Sequence, residues 1–260
     1  MAPSLIRHLG LLLTLALLPW GARAFDAQKA LAISQEALGR QVGDHTFVDG
    51  KGRTLSLRDF RGKPLLLSFV YTSCYHTCSA FTNYLAEVVE MAQGVLGEGS
   101  FAVLTVGFDA PADTPERMRH FARSRGIDLP GWSFVSGDAA TVKAITREVG
   151  FVYEPSPKGF DHMLQVTVLD GEGRVYRQVY GADFPPPQLI EPLKELVWGT
   201  KASSLSPAGW LDNLRLFCTV YDPASGRYRF DYSFFAMILG GALSLAGILA
   251  FTIHAWRTSA

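Results

Sequence analysis

The stretch SFVYTSCYHTCSAF, Ser68 to Phe81, places Cys74 and Cys78 four positions apart, directly behind a run of apolar residues. Two thiols at that spacing admit three chemistries: a structural disulfide, a redox couple, or a pair of ligands for a thiophilic metal. On a helix, residues four apart have Cβ atoms about 5–6 Å from one another, whereas a disulfide needs about 3.5–4.5 Å. Oxidation therefore requires Cys74 to lie in the turn before a helix, not on it. A strand end that opens into a helix also favours thiolate over thiol, because backbone N–H groups and the positive end of the helix dipole lie there. Two soft sulfurs joined by an imidazole suit copper, as Cu(I) or Cu(II), better than magnesium or calcium. His76 lies between the cysteines and is expected to point away from both, so an imidazole has to come from further along the chain.

The elements around the thiols follow from periodicity. HTFVDGKGRTLSL has strand-like runs on both sides of Asp49-Gly50, a hairpin signal. KPLLLSFVYTS is a continuous apolar run, as in a strand covered on both faces. Phe81, Tyr84, Leu85, Val88, Val89 and Ala92 then recur at helical spacing, and Cys74 and Cys78 extend that stripe toward its start. FAVLTVGF is the next strand, and Thr114-Pro115-Glu116 caps and opens a helix running toward Gly126. WSFVSGDAATVKAITREVGF repeats the unit, with Ser136 or Asp138 as its cap. After a Pro-containing loop, MLQVTVLDGEGRVYRQVYG reads as a hairpin about Asp170-Gly171, and PPPQLIEPLKELVWG as a closing helix. Strands alternating with helices and ending in a hairpin and helix make an α/β layered sheet. The order is that of a thioredoxin-like domain, in which the loop ahead of the hairpin lies beside the thiol turn. His162, in KGFDHMLQVTVLD, is the histidine that this topology carries there. A loop histidine with no ligand role is the alternative for it, as a buried structural pair is for the cysteines.

The two ends differ from the body. Residues 1–24 have Arg7, an apolar core from Leu9 to Leu18 and the triplet Ala22-Arg23-Ala24, the pattern of a cleaved export signal. Residues 234–256 contain no Asp, Glu, Lys or Arg and suffice to cross a hydrocarbon core of about 30 Å. Tyr232 and Trp256 stand where interfacial aromatics belong, and Arg257 favours a cytoplasmic C-terminus. The expected organisation is a signal peptide over 1–24, a thioredoxin-like domain over 25–200, a linker and juxtamembrane segment over 201–233 containing Cys218 and the turn-like YDPASGRY, and a membrane span over 234–256. The domain between the two apolar ends is then exported. Lys+Arg and Asp+Glu both number 24, so there is no electrostatic footprint for nucleic acid. Cys218, as an odd cysteine in an exported protein, suggests an exchanging thiol.

VYTSCYHTC behind a strand, VGFDAPADTPERM as the second strand-to-helix passage, and DHMLQVTVLD before the hairpin together resemble the Sco/SenC family of membrane-tethered, copper-binding thioredoxin-like proteins. The resemblance covers roughly Gly39 to Trp198. It implies that Cys74, Cys78 and His162 are three copper ligands, with Asp109 at an acidic position of the second motif. It also implies a partner in cytochrome c oxidase subunit II, or another copper or thiol protein, whose copper site the family helps to assemble. Two features depart from the family pattern: Ser79 stands where Pro usually follows the second cysteine, and the apparent anchor is C-terminal. Two functions result. One is a copper chaperone. The other is a thiol-disulfide reductase in which Cys74 attacks and Cys78 resolves, a function that needs no His162.

Overall fold

The computed structural model describes residues 25–74, 77–201, 219–222, 225 and 227–259. The expected export signal over residues 1–24, His76, and residues 202–218 of the expected linker, with Cys218, lie outside them. Helix α1 (Ala27–Glu36) precedes strands β1 (Thr46–Asp49) and β2 (Thr54–Ser56) and a 3-10 turn. Next come β3 (Leu65–Val70), α2 (Thr77–Leu96), β4 (Ala102–Gly107), α3 (Pro115–Arg123), β5 (Trp132–Ser136) and α4 (Ala139–Glu148). A two-stranded hairpin, β6 (Tyr153–Ser156) with β7 (Gly159–His162), leads into β8 (Gln165–Leu169), β9 (Val175–Tyr180) and α5 (Pro187–Lys201). A second small hairpin, β10 (Thr219–Asp222) with β11 (Arg227–Phe230), precedes α6 (Ser233–Ser259).

The main sheet has seven strands in the order β2-β1-β5-β4-β3-β8-β9. Its centre, β5-β4-β3, is parallel, and the flanking pairs are antiparallel. Every residue of β3 and of β4 is buried, which explains why both strands read as unbroken apolar runs. Their two polar members, Ser68 and Thr105, satisfy each other at 2.7 Å, and Trp132 Nε1 donates to Thr105 Oγ1. Side chains alternate between two cores. On one face, Leu65, Leu67 and Phe69 meet Met118 and Phe121 of α3 and Val142 and Ile145 of α4. On the other, Leu66 and Val103 meet Phe81, Leu85, Val88 and Val89 of α2 and Leu189, Ile190 and Leu193 of α5. The caps behave as their residue types require: Thr114 Oγ1 accepts from the Arg117 N–H with Pro115 in the first turn, and Asp138, not Ser136, accepts from the Thr141 N–H.

Three parts of the chain differ from the expectation. The Pro-containing loop is the β6–β7 hairpin, so His162 ends a strand. YDPASGRY contributes to the β10–β11 hairpin, which folds back on the body: Tyr228 donates its hydroxyl to Glu191 Oε1 at 2.9 Å, and Lys194 Nζ donates to the Thr219 carbonyl at 2.7 Å. Helix α1 shows no apolar stripe, because only Ala30 and Ser34 are buried, and Ser34 is held by a hydrogen bond to Gln165. Within α6, Phe235–Thr258 is long and apolar enough to cross a membrane. It starts beside Asp231, whose carboxylate accepts from the Ser233 N–H.

Candidate thiol and metal site

The site lies at the carboxyl ends of β3 and β4, the edge at which open α/β sheets present their functional groups. Beyond Val70 the chain turns at Tyr71, Thr72 and Ser73, and the Cys74 N–H closes this turn on the Tyr71 carbonyl at 3.1 Å. Cys74 is therefore in the turn, and Cys78 is in the first turn of α2. The Cys78 N–H donates to Cys74 Sγ at 3.3 Å, so the start of the helix cradles the first sulfur. Both residues are thiols. Cys78 is 1% exposed and packs among Phe69, Phe108 and Phe151, on the core opposite that of Phe81 and Leu85. It does not continue the α2 stripe; the helix turns it toward the ends of the strands. Burial pushes the Cys78 thiol well up, with the Cys74 side chain adding to the rise, so Cys78 keeps its proton at neutral pH.

The loop is fixed from below by a residue that the sequence pattern did not single out. Asp113 is 1% exposed. Its Oδ1 accepts from the N–H and the hydroxyl of Thr72, at 2.8 and 2.7 Å, and its Oδ2 accepts from the Asp109 N–H at 2.9 Å. Of the two aspartates in VGFDAPADTPERM, the second holds the thiol loop to the β4–α3 passage. Gly107 leaves room for this, since a Cβ there would stand 2.5 Å from Asp113 Cβ. The signal available in the sequence was an acidic residue directly before a helix cap, a position where a carboxylate readily finds backbone N–H groups.

His162 stands on a wall of aromatic rings, with Tyr71, Phe108 and Phe151 at centroid distances of 6.2, 5.3 and 5.5 Å. Its Nδ1 lies 2.9 Å from the Met163 carbonyl. A carbonyl only accepts, so Nδ1 carries the proton and Nε2 carries the lone pair, the form in which a histidine ligates. Burial pushes its pKa below the ordinary value, against the Met163 hydrogen bond and the charge of Asp161, which keeps the ring neutral. Tyr71 stands between the halves of the site: its ring meets His162 edge-on, and burial, with the Cys74 side chain adding to it, pushes its hydroxyl pKa up to about 12. Among the described residues, no three His, Cys, Asp or Glu side chains stand close enough to hold a metal together. The structure brings the two sulfurs together and sets the His162 ring against that of Tyr71, without closing the three side chains into one cluster. The donors are two sulfurs and a neutral nitrogen in a mostly apolar surround, a set that fits a soft ion such as Cu(I).

The SCO1/SenC family model matches residues 34–198. The chain belongs to the SCO1/SenC family. Over 157 residues it is 27% identical to the mitochondrial SCO2 homologue of Bos taurus, matching 58% of this chain and 57% of that protein. A crystal structure of an Aquifex aeolicus protein with an electron-transfer description is 32% identical and superposes with a TM-score of 0.57, covering 62% of this chain and 95% of that one. Bradyrhizobium japonicum ScoI with copper bound is 22% identical, with a TM-score of 0.52 over 60% of this chain and 99% of that one. BsSco, described as a Sco-family cytochrome c oxidase assembly protein with a disulfide switch, is 19% identical, with a TM-score of 0.55 over 62% and 95%. These SCO1/SenC structures share the α/β fold, and the matched region contains Cys74, Cys78 and His162. The N-terminal and C-terminal apolar segments lie outside it.

Proposed function

We propose that this chain is a membrane-anchored copper chaperone whose Cys74 and Cys78 sulfurs and His162 imidazole hold one copper ion as cargo for the copper site of cytochrome c oxidase, subunit II being the recipient. The observation that carries this reading is the Cys78 N–H bond to Cys74 Sγ, which pairs the two sulfurs at the start of one helix, while His162, in its ligating tautomer, leans on the ring of Tyr71 from the same turn. Thiolates bind Cu(I) through soft, polarisable donors, and the imidazole adds a third ligand that also suits Cu(II). To load, both thiols release their protons. The export signal over 1–24 and the α6 span tether the domain on the outer side of a membrane, with Arg257 and the C-terminus in the cytoplasm. A copper-bound structure of Bradyrhizobium japonicum ScoI, and BsSco as a member of a family of cytochrome c oxidase assembly proteins, support this assignment.

The test is copper retention by the full chain in neutral detergent, reduced and given Cu(I) anaerobically. One copper per chain is expected in the wild type. Loss of at least 90% of it is expected in His162→Ala under a competing chelator, with the circular dichroism unchanged. Equal copper in the two proteins would defeat the ligand assignment.

The unequal burial of the two thiols favours a second activity at the same site. Cys74 is half-buried and accepts an N–H, while Cys78 is sealed and protonated, the asymmetry of an attacking and a resolving thiol. A Cys74 thiolate attacks a partner disulfide, releases one partner sulfur and forms a mixed disulfide. Cys78 then loses its proton, attacks Cys74 and frees the second partner thiol. Trapping the mixed species with Cys78→Ser on non-reducing gels checks this order.

A further inference from the structure

Helix α3 carries the most concentrated charge in the domain. Residues 115–125 contain Arg117, Arg119, Arg123 and Arg125 against the single acid Glu116, in a chain whose formal charge is zero. Arg53, Arg58, Arg61, Arg174 and Arg229 each meet a carboxylate. Among the described residues, none of the four α3-region arginines does so. Arg117, Arg119 and Arg123 are exposed. Arg117 also sits in the first turn of its helix, where the dipole disfavours a cation, so the helix itself gains nothing from that charge.

Two of the four, Arg117 and Arg125, reach the thiol turn, whereas Arg119 and Arg123 line a separate cleft with Asp49, Arg53 and Asp128. Arg117 Nη2 donates to Ser73 Oγ at 3.1 Å, one residue before Cys74. Arg125 Nη2 donates to Ser79 Oγ, one residue after Cys78, with its guanidinium 3.4 Å over the Phe121 ring. Ser79, the residue that stands where Pro is usual, is thus the anchor for Arg125. Between Arg117 and Arg125 lies a cleft of about 370 Å³ lined by Thr72, His120, Phe121, Ser124 and both guanidinium side chains, with Glu116 as its single acid. The opposite face of the sheet holds α2 and α5 and the β10–β11 hairpin from which α6 departs.

We infer that the cleft between Arg117 and Arg125 is the docking surface for an acidic face of the cysteine-bearing partner that exchanges with Cys74 and Cys78. The contacts of its two arginines to Ser73 and Ser79 place whatever it attracts at the thiols. Fields from such a cluster raise encounter rates with opposite charge by about 10- to 10³-fold, an effect that falls with salt. The inference deepens the proposed function and rests on its thiol chemistry.

The test uses the full chain, reduced, in neutral detergent, with three disulfide-linked model peptides that differ only in flanking residues: acidic, neutral or basic. In each reaction Cys74 and Cys78 are oxidised to their disulfide by two electrons, and the peptide disulfide is reduced to two thiols. At low ionic strength the acidic peptide is expected to exchange at least 10-fold faster than the basic one. That preference is expected to fall toward unity in 0.5 M salt, on the order of a fivefold shorter screening length than at 0.02 M, and in an Arg117→Gln variant. Exchange of the neutral peptide without an acidic preference, or a preference that the variant keeps, would overturn the docking surface and leave the thiol chemistry standing. No exchange with any peptide would overturn the thiol chemistry, and the docking surface with it. Loss of the preference on moving the chain from neutral-lipid to anionic-lipid nanodiscs would assign the cleft to headgroups and overturn the proposal.

Discussion

Asp113 receives three hydrogen bonds on one buried carboxylate and so joins the thiol loop to the β4–α3 passage. In Asp113→Asn one oxygen still accepts from Thr72, but the amide nitrogen faces the Asp109 N–H, donor against donor. The expected cost is about 1–3 kcal/mol of stability, read from denaturant midpoints, together with faster alkylation of Cys74 as the loop loosens. Burial pushes the Asp113 carboxyl above its ordinary value of 3.8, with the Thr72 and Asp109 hydrogen bonds restraining the rise. A native acid with a raised pKa keeps a proton that the unfolded chain has already lost. Its contribution to stability therefore declines as pH climbs from the unfolded value through the native one. Asp113→Asn is expected to flatten that slope in unfolding curves taken between pH 3.5 and pH 7. Cys74 and Cys78 were legible in the sequence because cysteine is rare and their spacing is local. Asp113 was not singled out, because a position before a helix cap does not by itself tell the fully buried carboxylate from that of the half-buried Asp109.

At the scale of elements, the β6–β7 hairpin determines where His162 stands. Gly159 makes this hairpin possible: its φ is +120°, and a Cβ there would lie 2.9 Å from the Tyr71 hydroxyl. Gly159→Ala forces strained backbone, which costs about 1–3 kcal/mol, and pushes on the tyrosine that stands between Cys74 and His162. Lower stability and weaker copper retention are expected together, checked by unfolding and by chelator competition. Wild-type copper affinity in this variant would show that the hairpin does not set the imidazole. The central strands were readable because LLLSFV and AVLTVG are buried throughout, as were the helices with a Thr114 or Asp138 cap. The hairpin was hidden in YEPSPKGFDH, where two prolines interrupt a segment with no fully buried residue to mark alternation. Helix α1 escaped because tertiary contacts at Ser34 and Ala30, not an apolar stripe, hold it in place.

At the scale of the whole molecule, the chain combines a soluble-type α/β domain with one helix whose apolar side chains stand exposed, Leu243 at 65% and Phe251 at 72%. Among the described residues no protein surface covers these side chains, and burial of about 20 apolar residues in hydrocarbon would be the strongest single determinant of where the chain resides. Truncation after Asp231 is expected to move the protein from the membrane pellet to the soluble fraction after ultracentrifugation, with α2 and α5 still covered by the β10–β11 hairpin. Retention in the pellet would place the anchor elsewhere. The measurement that bears most directly on the assigned site is copper-edge X-ray absorption of the full chain loaded with one Cu(I). Two sulfur scatterers and one imidazole nitrogen are expected, the nitrogen disappearing in His162→Ala. A sulfur-only shell in the wild type, or an imidazole signal that survives His162→Ala, would contradict the assignment of Cys74, Cys78 and His162 as the copper-holding set.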